Sequence, residues 1–268
     1  MQIAISSRSY DPELEAGQMR LWDIPGEARV LGVTRVELHD THLKTLGLRL
    51  FGRLSRFFNP PSPAPSDRTY DYAALKRIRK ALDYYDVKAA AWSCESALGE
   101  ASTLARARAY IRLAVDAAKL IGAPVLRITL DHAAVRRGIE PSVDALSSLV
   151  VDAELARVRL AIENDSPRAS VERILGIVQG VDSPWLGVCV NFEHFDPRSP
   201  VGLFERLAAR AVHVHAATYG DGRPDGVYSA YLGVLRTLGY EGAVALEYLG
   251  EAEPAEGLAA GIEALKRW

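Results

Sequence analysis

Apolar positions recur along this chain in two alternating patterns, short runs with β-type alternation and longer runs with helical spacing. The β-type runs predict strands near Ile3–Ser6, Arg35–Leu38, Val87–Ala91, Val125–Leu130, Arg159–Glu163, Gly187–Asn191, Val212–His215 and Val244–Glu247. Helical periodicity fills most of the gaps. Tyr72–Tyr85 sets Leu75, Ile78 and Leu82 on one face. Leu104–Leu120, Ser170–Val178 and Val227–Leu238 repeat the spacing, the last ending at Gly239, a residue suited to close a helix. Strand and helix alternating in this way predict an α/β fold, a (β/α)8 TIM barrel, as a single domain over residues 1–268. The longest break is Thr41–Thr69, where Asn59-Pro-Pro-Ser-Pro-Ala-Pro65 disfavours helix and strand ladders, so an irregular Pro-rich loop is expected at about 41–69. It follows the second strand, where a substrate cover and a passive insertion are both open.

Polar residues close the last four strands. The segments read Val158-Arg-Leu-Ala-Ile-Glu-Asn164, Gly187-Val-Cys-Val-Asn-Phe-Glu-His194, Ala211-Val-His-Val-His215 and Ala243-Val-Ala-Leu-Glu247. Side chains alternate along a strand, so parity assigns faces. Leu160 and Ile162, Val188 and Val190, Val212 and Val214, and Val244 and Leu246 are expected to meet the helices. That leaves Ala161 and Glu163, Gly187, Cys189 and Asn191, His213 and His215, and Ala243, Ala245 and Glu247 facing the barrel axis. The second strand agrees, with Val36 and Leu38 outward and Glu37 and His39 inward. Buried glutamates need a partner or a cation. A divalent metal held by Glu163, Asn191, His215 and Glu247 meets that need, and the alternative is a structural ion-pair cluster with Arg127, which also reads as inward. His213, one layer deeper than His215, reads as a core histidine.

Composition narrows the function. The 268 residues carry a formal net charge of −2, so no overall basic field favours nucleic acid. Arg49, Arg53 and Arg56 with Phe51, Phe57 and Phe58 form a local exception that reads as an amphipathic surface. Cys94 and Cys189 have no metal-type or disulfide-type spacing and suit a reducing compartment. No secretory signal pattern and no long apolar run appears, so a cytoplasmic protein without a membrane partner is expected. A homo-oligomer is compatible with all of this.

The four strand motifs resemble the xylose-isomerase-like TIM barrels, a superfamily of sugar phosphate isomerases and epimerases, dehydratases and AP endonuclease-like barrels. Ile162-Glu-Asn164 is similar to its (I/L)EN strand and Gly187-Val-Cys-Val-Asn-Phe-Glu-His194 to its G-hydrophobic-C-hydrophobic-D-x-x-H segment. Val212-His-Val-His215 is similar to HVH-x-x-D, and Gly239-Tyr-Glu-Gly-Ala-Val-Ala-Leu-Glu-Tyr248 to GYDGxxxxEY. Two positions depart from the pattern: Asn191 stands at the aspartate ligand, and Thr218 at the aspartate after the histidines.

The resemblance implies one divalent ion, Mn²⁺ or Mg²⁺ ahead of Zn²⁺, because the ligands are mostly oxygens. It implies a carbohydrate-metabolising isomerase or epimerase of a small sugar, polyol or sugar phosphate, with Glu163 and Glu247 as the catalytic pair. Metal coordination acidifies the carbon next to a carbonyl, and the two glutamates remove and return the proton through an enediolate. His194, Arg127, Glu37, His39 and Trp92 are the expected substrate contacts, although Trp92 also suits packing against helices. A dehydratase of a cyclitol or dehydroshikimate-like substrate begins with the same proton abstraction. A non-catalytic small-molecule-binding barrel with a decayed metal site is the rival from another class. An endonuclease reading lacks its histidines and its basic surface.

Overall fold

The structure is a computed structural model that describes residues 1–43, 70–98, 104–130, 138–164, 171–195, 201–219 and 226–267. The loop expected at about 41–69 therefore lies outside the described residues beyond position 43. Eight parallel strands close a barrel in sequence order. They are β1 (Gln2–Ser6), β2 (Arg35–His39), β3 (Lys88–Leu98), β4 (Val125–Leu130), β5 (Arg159–Glu163), β6 (Leu186–Asn191), β7 (Ala211–Thr218) and β8 (Ala243–Tyr248). β8 pairs back onto β1 through Gln2↔Ala243 to Ile5↔Leu246. Closure leaves no strand edge to pair with another chain.

Helices α1 (Asp11–Ala16), α2 (Ile24–Val30), α3 (Tyr72–Tyr85), α4 (Leu104–Ile121), α5 (Glu140–Ala156), α6 (Val171–Val181), α7 (Val201–Ala208), α8 (Gly226–Thr237) and α9 (Pro254–Lys266) surround it. Local chemistry sets their ends. The Asp71 carboxylate caps α3 by accepting from the Ala73 and Ala74 N–H groups at 2.9 and 3.2 Å. Past α8, Gly239 takes φ +67° and the Tyr240 N–H returns to the Leu235 carbonyl at 2.9 Å. Leu75, Ile78 and Leu82 of α3 are all but fully buried in the layer between helices and sheet. Each such side chain contributes roughly 1.5–3 kcal/mol relative to exposure. No helix among the described residues is long and apolar enough to cross a membrane.

Inside the barrel the lower layers are small. Ala4, Ala90, Ala243 and Ala245 form one cluster, and Ala91, Val125, Ala161 and Cys189 another. The space above them is left to polar side chains. Two bulges interrupt the simple alternation of faces. Between β2 and β3 the register steps from Val36↔Ala89 to Glu37↔Ala91, so Ala90 is an extra residue. Just beyond it the alternation is reset, with Ala91 facing the interior. Trp92 turns outward, fully buried in the helix-side core and edge-on to Tyr70 at 5.9 Å, while Ser93 turns inward. Trp92 is therefore removed from the expected substrate contacts.

Between β6 and β7 the register steps from Val188↔Ala211 to Cys189↔His213. The extra residue is Val212, expected outward, which packs instead with Ala91, Val125, Ala161 and Cys189 in the interior. Gly187 makes that possible. A Cβ there would meet Val212 Cγ1 at 2.6 Å and the Arg210 carbonyl oxygen at 2.9 Å. Gly187→Ala is expected to cost about 1–3 kcal/mol by overpacking, read as a lower denaturant midpoint with an unchanged slope. Wild-type stability in that variant would show that Val212 can move aside.

Candidate functional site

The upper ends of β2, β5, β6, β7 and β8 carry Glu37 and His39, Glu163, Asn191, His215 and Glu247. All are buried, with Glu247 at 7 % the most exposed. Parallel strands deliver polar termini to one rim, and this rim is the C-terminal face where barrels of this kind build sites.

His215 is the hub. Its Nδ1 lies 2.7 Å from Glu163 Oε1 and 3.8 Å from Glu247 Oε1, and its Nε2 lies 2.8 Å from Glu37. The Asn191 carboxamide donates to Glu163 Oε1 at 2.9 Å and accepts from the Glu193 N–H at 3.0 Å. Glu163 Oε2 receives both Nε, at 2.6 Å, and Nη2 of Arg127. His39 Nε2 reaches Ser6 Oγ at 3.2 Å, Glu37 Oε1 at 3.5 Å and Glu247 Oε1 at 3.9 Å. The structure thus brings together Glu37, His39, Arg127, Glu163, Asn191, His215 and Glu247. His194 is half-buried after β6, and no hydrogen bond or ion pair among the described residues joins it to this cluster.

Electrostatics divide the carboxylates. Burial opposes the charge on Glu37 and Glu163. His215 and His213 outweigh it at Glu37, and Arg127 and His215 at Glu163, so both are held well below the usual carboxylate range. Glu247 differs. Burial raises it, and the partial relief from His215 does not reverse the shift. Burial also disfavours a charged His215, yet Glu37, Glu163 and Glu247 hold it well above its ordinary range. Burial pushes the neighbouring Cys189 thiol up to about 12, so it stays neutral and adds no charge. His39, its charge suppressed by burial, lies well below the usual imidazole range.

These shifts set a pH window. The depressed Glu37 and Glu163 stabilise the fold above the ordinary carboxylate value of 4.5 and lose that contribution as pH falls through their folded values. The raised His215 stabilises fully below its ordinary 6.5 and loses that contribution as pH rises through its folded value. Metal-free protein should therefore melt highest near pH 4.5–6.5, with raised Glu247 losing its contribution as pH rises from 4.5 and so tilting the maximum toward the acid end of that window. A flat profile of melting temperature against pH would count against an ionised cluster.

The donor set fits a divalent cation. Glu163 Oε1 and Glu247 Oε1 both lie within 3.8 Å of His215 Nδ1, and the crowding of buried carboxylates that raises Glu247 is what a cation relieves. Asn191 bears on how tightly. With Asp at 191 the N–H donation to Glu163 becomes carboxylate repulsion in the metal-free state and added attraction in the loaded one. Asn191→Asp is expected to tighten Mn²⁺ binding roughly tenfold, about 1.4 kcal/mol, and to lower the metal-free melting temperature. Unchanged affinity by calorimetry would mean that Asn191 serves only its hydrogen bonds.

Some partners escaped the sequence reading. Ser6 follows from β1 parity, since Ile5 packs outward and Ala4 inward. Ser93, which donates to Glu37, is hidden by the β3 bulge. Asn164 imitates a strand, accepting from the Asn191 N–H at 2.7 Å and donating to its carbonyl at 2.9 Å. Thr218 ends β7 buried, its Oγ1 without a hydrogen bond among the described residues.

A family model described as "Xylose isomerase-like TIM barrel" matches residues 41–268. A comparison with curated protein sequences finds no significant match. Solved structures share the fold at low identity. A xylose isomerase domain protein from Planctomyces limnophilus superposes with TM-score 0.68 and 16% identity, covering 100% of this chain and 95% of its own. D-allulose 3-epimerase from Methylomonas sp., in complex with D-allulose, gives 0.73 and 13%, covering 100% and 96%. 3-keto-D-glucoside 4-epimerase from E. coli gives 0.72 and 14%, covering 100% of both chains.

Proposed function

Because the chain belongs to the xylose isomerase-like TIM barrel family, we propose that it is a metal-dependent isomerase or epimerase of a small sugar, polyol or sugar phosphate. One observation carries this reading. Glu163 and Glu247 flank the same His215 nitrogen at 2.7 and 3.8 Å, and their surroundings push their protonation in opposite directions. Two carboxylates separated in this way divide into a base and an acid. Glu163, ionised, removes the proton from the carbon next to a carbonyl. Glu247, whose proton affinity its surroundings raise, returns one to the enediolate from its own side of the site. Return to the opposite face inverts a centre, and return to the neighbouring carbon moves the carbonyl.

A divalent ion, Mn²⁺ or Mg²⁺, held by Glu163, Asn191, His215 and Glu247 supplies Lewis-acid stabilisation of charge on the substrate oxygens. Arg127 keeps Nη1 without a hydrogen bond among the described residues, a donor for a substrate hydroxyl or phosphate. His39, neutral beside Glu247, and Glu37 line the same cluster, and His194 is the contact contributed from the segment after β6. The structural similarity to D-allulose 3-epimerase and 3-keto-D-glucoside 4-epimerase supports the substrate class.

Protein purified without chelator should carry a divalent ion. In D₂O it should place deuterium on the carbon next to the carbonyl of a ketose substrate. Loss of water from the substrate instead would assign a dehydratase. The second reading, a non-catalytic binding barrel, draws on Arg127, whose ion pair with Glu163 already balances that carboxylate. Protein that purifies without metal and, with Mn²⁺ added, exchanges no ketose, cyclitol or keto acid would favour it.

A further inference from the structure

The proposed catalytic set uses the Nδ1 side of His215. On its Nε2 side lies a different donor group, rich in nitrogen. His215 Nε2 is 2.8 Å from Glu37 Oε2, His213 Nε2 is 3.3 Å from the same oxygen, and His39 Nε2 is 3.5 Å from Glu37 Oε1. Three imidazoles thus aim the same ring nitrogen at one carboxylate. Donor atoms of Glu37, His213 and His215 all lie within 4.8 Å of one another. The His213-Val-His215 spacing on β7 sends both rings to one side of the strand.

His213 is the informative member. It is 1 % exposed, yet its Nε2 has only the 3.3 Å approach to Glu37 and its Nδ1 has no hydrogen bond among the described residues. Glu37 Oε2, fully buried beside it, is met only by the two imidazoles, His215 Nε2 at 2.8 Å and His213 Nε2 at 3.3 Å. Buried polar atoms without partners carry a desolvation cost that something must offset. The Glu163 site does not use either of them.

We propose that Glu37, His213 and His215 form a second divalent site, deeper in the barrel, that takes a borderline transition ion such as Zn²⁺. Two imidazoles and one carboxylate with an open position are a zinc donor set. The upper set of Glu163, Asn191 and Glu247 offers mainly oxygens and suits Mg²⁺ or Mn²⁺. A neutral imidazole has one lone pair and one N–H, so His215 serves one ion at a time. The two sites therefore compete through His215. Zinc in the deep site withdraws His215 from the upper one, which makes the barrel's activity sensitive to the ratio of the two metals. This last consequence, unlike the site itself, rests on the proposed function.

The test is calorimetric titration of metal-free full-length protein with Zn²⁺ and, separately, Mn²⁺. In His213→Ala, zinc affinity is expected to fall at least tenfold with manganese affinity unchanged. His213→Asn is the second variant and should repeat the pattern, with melting curves to verify folding. Titrating Mn²⁺ into zinc-loaded wild type should show competition and a total of one ion per chain. Cys189 also faces His215 and, with Glu163, forms a rival zinc set. Zinc affinity that survives in both His213 variants but is lost in Cys189→Ala overturns the proposal. Equal loss of both metals in the His213 variants, with lowered melting, also overturns it, since His213 is then structural. Two ions bound together in the wild type overturn the competition. Absence of any Mn²⁺ binding would sink the catalytic reading while leaving the zinc site standing.

Discussion

In Glu247→Gln, deuterium exchange into substrate is expected to fall at least ~100-fold, the usual loss on removing a general acid or base. Glutamine keeps the size and one acceptor oxygen, so divalent binding should persist in part. The expectation rests on how lightly Glu247 is held. Its Oε1 meets Ser6 Oγ at 3.5 Å, His215 Nδ1 at 3.8 Å and His39 Nε2 at 3.9 Å, all longer than the contacts of Glu163. A carboxyl that is raised and loosely partnered is free to exchange its proton. Glu163→Gln should differ in kind, because it also breaks the ion pair with Arg127 and so lowers stability as well as exchange. Proton NMR of recovered substrate reads the result. Full exchange in Glu247→Gln would reassign that residue to metal binding alone.

Arg127→Met is expected to destabilise metal-free protein by about 3–5 kcal/mol, since it removes one partner of a buried ion pair and leaves Glu163 to His215 and Asn191 alone. For a chain of this size that corresponds to a melting temperature lower by roughly 6–20 °C. Arg127 and Glu163 are 3 % and 1 % exposed, so solvent does little to screen the loss. Added Mn²⁺ should restore much of the stability, because a cation at Glu163 supplies the missing charge. Thermal melts with and without the ion give both answers. Unchanged melting would remove the pair from the structural account, and a loss without rescue would count against an ion at Glu163.

Much of the site was legible residue by residue. Glu37, His39, Glu163, Asn191, His215 and Glu247 lie on strands whose apolar positions alternate cleanly, so an odd–even count sent each to the axis. Arg127 followed from the same count on β4, between the buried Leu126 and Ile128. Val212 did not follow, because it is itself the extra residue of the β7 bulge and joins its neighbour His213 on the inner face. For Trp92 the sequence left both a substrate contact and helix-side packing open, and the structure shows the packing. Ser93 was not singled out, because the β3 bulge resets the alternation before it. His194 lies past the end of β6, where no strand periodicity specifies a direction.

By itself the sequence determined the barrel, because eight apolar β-type runs separated by helical spacing admit few other ways to bury both faces of each strand. It also determined which residue types reach the rim, because alternation is a local property of the strand. Only the tertiary structure decided how the rim is wired. That His215 divides its two nitrogens between Glu163 and Glu37, that Arg127 rather than Asn191 balances Glu163, and that Glu247 is raised while Glu163 is lowered depend on distances across strands far apart in the chain. Register shifts, the space left by Gly187 and the closure of β8 onto β1 set those distances. Each is a relation between segments, and electrostatic energies fall off with separation in space, which the order of residues along the chain does not contain.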